Sequence, residues 1–246
     1  MIRIRTYRAV DDLKSCEKFA EGHRAVLKSY GVPKVTSDNY DWFYNPEVYV
    51  IVAESISGKE IYGGVKIYVA GGTQPLPVEE AVGRIEKKIF DLVKQHSLER
   101  TGEICGLWNA REIAGQGFGI LLIRSGIAKA GIVIANQLKL NSLFTLASPW
   151  TIETVKNIGF EVEKSLGNDG TFPYPTPDLL ATVLILKDTE TLKHATSREK
   201  EHIFDLRIHP QQKKMEIGPK GVISIEYDLL IPNLYYQSKP TTRSTT

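Results

Sequence analysis

Gly115, Gly117 and Gly119 fall within five positions, between an apolar run at 103–109 (EICGLWN) and a long helix-like stretch at 118–137. A strand, a glycine-rich loop and a helix in that order make an anion cradle. The first turn of a helix leaves backbone N–H groups unpaired at the positive end of its dipole. Glycines let that backbone approach a phosphate closely. Backbone dipoles supply the field, so such a site needs no excess of Lys and Arg. A P-loop is excluded, because no Gly-Lys-Ser/Thr follows the glycines. The dinucleotide fingerprint G-x-G-x-x-G also fails, since Gly115-x-Gly117 is followed by Ile120 where glycine is needed.

The charge balance agrees with a local anion site. The chain of 246 residues has 31 Lys+Arg against 29 Asp+Glu, a net +2, which argues against a dense cationic field for nucleic acid. Its length suits one large domain, or one with an appendage. Cys16 and Cys105 are the only cysteines and neither belongs to a C-x-x-C pair, so neither a disulfide framework nor structural zinc is expected. The five histidines form no H-x-x-x-H pattern, and no metal site is expected. The opening Ile2-Arg3-Ile4-Arg5-Thr6-Tyr7 alternates like a strand and holds no apolar leader. The most apolar stretch, 118–135, carries Arg124 and Lys129 and reads as a buried helix rather than a membrane span. The expected setting is the cytoplasm.

The remaining pattern gives an element order. After a strand at 3–7, Asp11 and Asp12 open an amphipathic helix through Cys16, Phe19, Ala20 and His23, which ends before Gly31-Val32-Pro33. A short aromatic helix is expected at 39–44, then a hairpin of strands at 47–54 and 60–70. A helix is expected over 78–95, strands at 140–147 and 160–166, a short helix at 149–157 and a loop at 168–177. The run at 179–186 (LLATVLIL) reads as a central strand. Residues 191–246 hold nine Lys/Arg and six Asp/Glu, and contain a helix candidate at 197–206. A hairpin candidate at 214–217 and 222–228 follows, and the last ten residues look disordered.

The segment Ala114-Gly115-Gln116-Gly117-Phe118-Gly119 resembles the pyrophosphate loop of the GNAT superfamily of acyl-CoA N-acyltransferases, Gln/Arg-x-x-Gly-x-Gly/Ala. Gly117 and Gly119 match, while Ala114 departs from Gln/Arg. Lys156-Asn157-Ile158-Gly159-Phe160 resembles that superfamily's helix-to-strand Gly-Phe ending, and the element order fits over about residues 1–187. The resemblance implies an α/β, GNAT-like fold: a mixed, mostly antiparallel sheet flanked by helices over 1–190, with a C-terminal α+β extension over 191–246. It implies acetyl-CoA or another acyl-CoA as co-substrate and direct attack by a small-molecule or protein amine. Acetyl transfer is the leading expectation. Trp108, Asn109 and Ala110 would pair with pantetheine; Ala114, Gly115, Gln116, Gly117, Phe118 and Gly119 would hold the pyrophosphate; Ser148 stands where an asparagine often contacts CoA.

Glu103 stands eleven residues before Ala114, the place of the general-base glutamate in some members. The plain alternative is a solvated carboxylate at a strand start. The superfamily's usual acid, a tyrosine four residues before the Gly-Phe glycine, is Val155 here, and valine holds no proton to give. Tyr174 is a substitute candidate, against an ordinary loop aromatic. His23 and Cys105 read better as packing than as catalysts, and Trp150 as either a CoA-channel wall or a plug. The aromatics Tyr30, Tyr40, Trp42, Phe43, Tyr44 and Tyr49 shape either a core or an acceptor pocket. Pro75-Leu76-Pro77-Val78-Glu79 before a helix resembles the autoinducer-synthase and N-acyl amino acid synthase branches, which raises a long-chain donor. A non-catalytic CoA-binding module is the third reading. No partner nucleic acid or membrane is expected; a homodimer is admitted.

Overall fold

The structure is a computed structural model. It describes residues 1–32, 35–36, 39–110, 120–218, 221–231 and 234, with backbone alone at 120–124 and 218. The strands are β1 (Ile2–Arg8), β2 (Val48–Ser55), β3 (Ile61–Val69), β4 (Thr101–Asn109), β5 (Ser142–Ala147), β6 (Glu161–Val162), β7 (Thr171–Pro173), β8 (Leu180–Leu186), β9 (Gln211–Gly218) and β10 (Gly221–Asp228). The α-helices are α1 (Leu13–Ser29), α2 (Pro77–Val82), α3 (Lys88–Ser97), α4 (Ile120–Gln137), α5 (Ile152–Asn157) and α6 (Ser197–Ile208). Among the described residues all ten strands join one sheet, in the order β6-β8-β5-β4-β3-β2-β1-β10-β9, with β7 beside β8. Only β1–β10 and β4–β5 run parallel, so the sheet is mixed and mostly antiparallel, as expected.

Period-two burial builds each face. Ile2 and Ile4 of β1, Ile51 of β2, Val65 and Ile67 of β3 and Ile104 of β4 point to the face covered by α4. Val50 and Val52, Tyr68, Phe144 and Ile185 point to the other, beneath α1 and the α2–α3 arm. The apolar run of α4 has its explanation here. Residues Ile127 to Ala135 are almost wholly buried between the sheet and α6. Lys129 lies 3.2 Å from Glu199 and 2.8 Å from His202 Nδ1, both on α6. No helix among the described residues is long and apolar enough to cross a membrane.

Asp12 caps α1 by accepting the Ser15 N–H at 3.1 Å. The single helix expected over 78–95 is two. It breaks at Gly83, where the ring of Phe90 from α3 folds back so closely that a Cβ would lie 2.4 Å from it. The strand expected at 160–166 shrinks to β6, and the loop at 168–177 contains β7. The strand expected to be central, β8, is second from one end of the sheet; it is apolar because both its faces are covered. The helix and hairpin read in 191–246 form as α6, β9 and β10. They lengthen the same sheet, with β10 along β1, and α6 packs on α4.

Candidate active site

Strands β4 and β5 pair only over Thr101–Ser142, Gly102–Leu143 and Glu103–Phe144. Beyond that point β5 continues along β8 as far as Ala147, and β4 continues along β3 as far as Asn109. The two parallel strands therefore part in the middle of the sheet. A bulge accentuates the parting. Cys105 to Trp108 on β4 opposes Lys66 to Gly64 on β3, one residue more on β4 than on β3, and Gly106 takes φ +64°, which glycine adopts without strain. From Ile104 onward the β5-facing edge of β4 has no strand partner among the described residues. A strand edge without a neighbouring strand inside a sheet is a place where an extended amide-bearing ligand can lie.

The expected cofactor residues lie on both lips of this opening. Trp108 and Asn109 end β4, and Ala110 follows, its N–H donated to the Tyr62 carbonyl at 2.8 Å. Ser148 follows β5 on the other lip. Its carbonyl accepts the N–H groups of Thr151 and Ile152 at 2.9 and 3.2 Å, which starts α5. Ala114, Gly115, Gln116, Gly117, Phe118 and Gly119 lie outside the described residues; the first described turn of α4 begins directly after them.

Glu103 sits at the fork. It is 1% exposed, so the solvated alternative does not hold. Its Oε2 accepts the Val78 N–H at 2.7 Å, at the start of α2. Leu76, the cap position of α2, has no side-chain acceptor, and Glu79 Oε2 takes the Leu76 N–H at 2.8 Å. Glu103 thus satisfies a helix-end donor from across the fold. Burial pushes its carboxyl up to about 8, against the Val78 hydrogen bond, which favours the anion; Glu79 pushes it up further and Lys66 pulls it down.

Lys66, Tyr68 and Cys105 share this part of the sheet. Tyr68 is the cross-strand neighbour of Glu103, and Lys66 that of Cys105. Lys66 is wholly buried, its Nζ 4.3 Å from the Trp42 ring centre and 5.5 Å from that of Tyr68. Sequence reading passed over Lys66. The signal was available, since Gly64, Lys66 and Tyr68 alternate onto one face of a strand whose neighbours are apolar. The aromatic segment divides: Trp42 and Phe43 are core, while Tyr30, Tyr40 and Tyr44 are exposed. His23 is buried against Phe19, and burial, with Lys66 and Arg24, holds it down to about 3, so it is neutral. Burial likewise pushes the Cys105 thiol well up, away from a thiolate.

Val155 is a core residue. Tyr174 has its hydroxyl on Thr36, accepting the Thr36 N–H at 2.6 Å; Thr36 Oγ1 in turn donates to the Pro77 carbonyl at 3.2 Å. Burial pushes Tyr174 up, and Glu103 and Cys105 add to the rise. Through Thr36 and the Pro77-Val78 backbone, Tyr174 is joined to the same support that holds Glu103. Trp150 is 84% exposed just past the β5 lip. Among the described residues no cluster of three or more His, Cys, Asp or Glu is placed to hold a metal.

No protein-family model matches the chain, and no curated protein matches it. Solved structures do. FeeM, an N-acyl amino acid synthase from uncultured soil microbes, superposes with TM-score 0.61 at 12% identity, over 81% of this chain and 98% of that one. BjaI, a CoA-dependent acyl-homoserine lactone synthase solved with SAM and isopentyl-CoA, gives 0.51 at 12%, over 83% and 89%. An acyl-CoA N-acyltransferase from Pseudomonas aeruginosa gives 0.51 at 12%, over 75% and 99%. The likeness is one of fold: the chain has the GNAT fold, and nearly the whole length of each of these proteins is spanned by it.

Proposed function

We propose that this chain is an acyl-CoA-dependent N-acyltransferase. The observation that carries the reading is the parting of β4 from β5 with the buried Glu103 carboxyl at the fork. In this reading the pantetheine arm lies in the opening beside the end of β4, along the backbone of Trp108, Asn109 and Ala110. Gly115 to Gly119 hold the pyrophosphate, and Ser148 borders the arm from the other side. An amine attacks the thioester carbonyl, and Glu103 takes the amine proton. A base poised near 8 suits an amine better than an ordinary carboxylate does. Val155 supplies no acid, and a thiol of ordinary pKa, about 8.5, needs little help to leave as thiolate. Acceptors are small-molecule or protein amines. The unpaired thiols Cys16 and Cys105 suit a reducing, cytoplasmic setting.

Donor length divides into two readings. Acetyl-CoA is the simpler donor. Longer acyl-CoA is favoured by the likeness to FeeM and BjaI, whose names specify an N-acyl amino acid synthase and a CoA-dependent acyl-homoserine lactone synthase. Thermal unfolding with acetyl-CoA, octanoyl-CoA, palmitoyl-CoA and NAD tests the assignment. A ligand at a hundred times its Kd stabilises by about 2.7 kcal/mol. Selective stabilisation by an acyl-CoA is expected, and the chain length giving the largest shift names the donor. A rise with NAD alone, or with none of them, removes the reading. Gly117→Glu, which sets a carboxylate in the proposed cradle, is expected to abolish the shift.

A further inference from the structure

The far edge of the sheet carries a surface that the proposed site does not use. Strand β9 is bonded to β10 on one side and, among the described residues, to no strand on the other. Its side chains alternate. Gln212, Lys214 and Glu216 turn toward α6: Gln212 and Lys214 reach Asp205 at 3.2 and 2.6 Å, and Glu216 lies 3.4 Å from His202. Lys213, Met215 and Ile217 turn the other way. Met215 is 67% exposed, Ile217 85%, and Val222, directly across from Ile217 on β10, 63%. Edge strands are normally protected by prolines, by short length or by unpaired lysines. β9 is eight residues long and contains no proline. Both its lysines already face a carboxylate within the chain, Lys213 that of Glu226 and Lys214 that of Asp205.

We propose that β9 pairs with β9 of a second copy, antiparallel across a two-fold axis centred on Met215. The register follows from three constraints. Two residues separate Gly218 from Gly221, which are paired. A two-residue hairpin closes on a hydrogen-bonded pair. Counting back in twos, Gly218, Glu216, Lys214 and Gln212 spend their backbone groups on β10, whereas Ile217, Met215 and Lys213 direct theirs outward. Directly opposed residues must also point to the same face. That rules out an axis between two residues, which would oppose a Met215-side chain to an α6-side one. Finally, an axis on Lys214 sets it against the partner's Lys214, and an axis on Glu216 sets two glutamates together. Like charges directly opposed are destabilising. Centring on Met215 instead sets each Lys214 against the partner's Glu216. It also joins the two Met215 side chains and lays the Lys213 stems over the exposed Ile217 side chains.

Sedimentation of the full chain from about 1 to 100 μM tests the pairing, and the test is independent of the acyltransferase reading. A dimer that dissociates on dilution is expected. Met215→Pro removes an outward N–H while sparing the bonds to β10, so it is expected to give a folded monomer. Met215→Lys, which leaves the backbone intact and opposes two cations at the axis, is expected to weaken the dimer at least tenfold. A wild-type monomer at every concentration overturns the proposal. So does a dimer that survives both variants, or one that forms only when residues 235–246 are removed.

Discussion

Glu103 serves as acceptor for a helix end and, in the proposed reaction, as acceptor for a proton. The two roles separate on substitution. Glu103→Gln keeps a carbonyl oxygen for the Val78 N–H but cannot take a proton. It is expected to lower kcat/KM by about 10²–10⁴-fold while leaving acyl-CoA affinity intact, and to abolish the rise in rate with pH through about 8. Equal rates across pH for wild type and variant would remove Glu103 as the base. The same residue links stability to pH. Its folded pKa of about 8 lies above the ordinary 4.5, so the folded chain holds a proton that the unfolded chain releases. Its contribution is full below pH 4.5 and is lost as pH rises through 8. Urea unfolding at pH 5 and 8.5 should show a smaller loss in Glu103→Gln than in wild type. His23 works at the other end. Its folded pKa of about 3 lies below 6.5, so its contribution is lost as pH falls from 6.5 toward 3, and His23→Phe should flatten that limb.

At the scale of elements, the ends are where local chemistry decides. Helix α5 stops at Gly159, φ +108°, with Phe160 N–H on the Val155 carbonyl at 3.2 Å and Gly159 N–H on the Lys156 carbonyl at 2.9 Å. A Cβ on Gly159 would lie 3.0 Å from the Ala195 backbone nitrogen. Gly159→Ala is therefore expected to cost about 1–3 kcal/mol in chemical denaturation, since neither strain nor contact can relax alone. The Gly-Phe ending was legible in sequence because it is written in adjacent residues. So were α1, opening at Asp11 and Asp12, and the hairpin of β2 and β3. The break between α2 and α3 was not, because Phe90 closing on Gly83 is a tertiary contact within an otherwise helical period. β6 is shorter than the strand expected at 160–166 because the chain turns after Glu163: the Glu163 N–H still reaches the Val183 carbonyl of β8 at 3.0 Å, but the Lys164 N–H turns back to the Val162 carbonyl at 3.1 Å. The site was half legible. Position singled out Glu103, but neither its burial nor the Val78 N–H could be read from spacing; Lys66 was readable as a lysine within an apolar strand, but its contact with Trp42 was not.

For the whole molecule, ten described strands form one sheet, yet in its interior β4 and β5 are joined by only three residue pairs. If an acyl-CoA lies along β4, it supplies the bonds that β5 withholds. Amide exchange at Gly106 and Leu107 is then expected to slow when acyl-CoA is bound, while exchange on β2 stays unchanged. Protection spread evenly over the sheet would place the ligand elsewhere.

The parting of β4 from β5 also decides what a fragment of this chain can do. One lip is contributed by residues before 111 and the other by residues after 141, and the backbone between them winds through α4. Neither portion holds half a working slot, because a slot exists only as the space between the two. In the proposed function, recognition of the thioester and completion of the fold are thus one event, and any lesion that prevents β5 from docking should abolish both together.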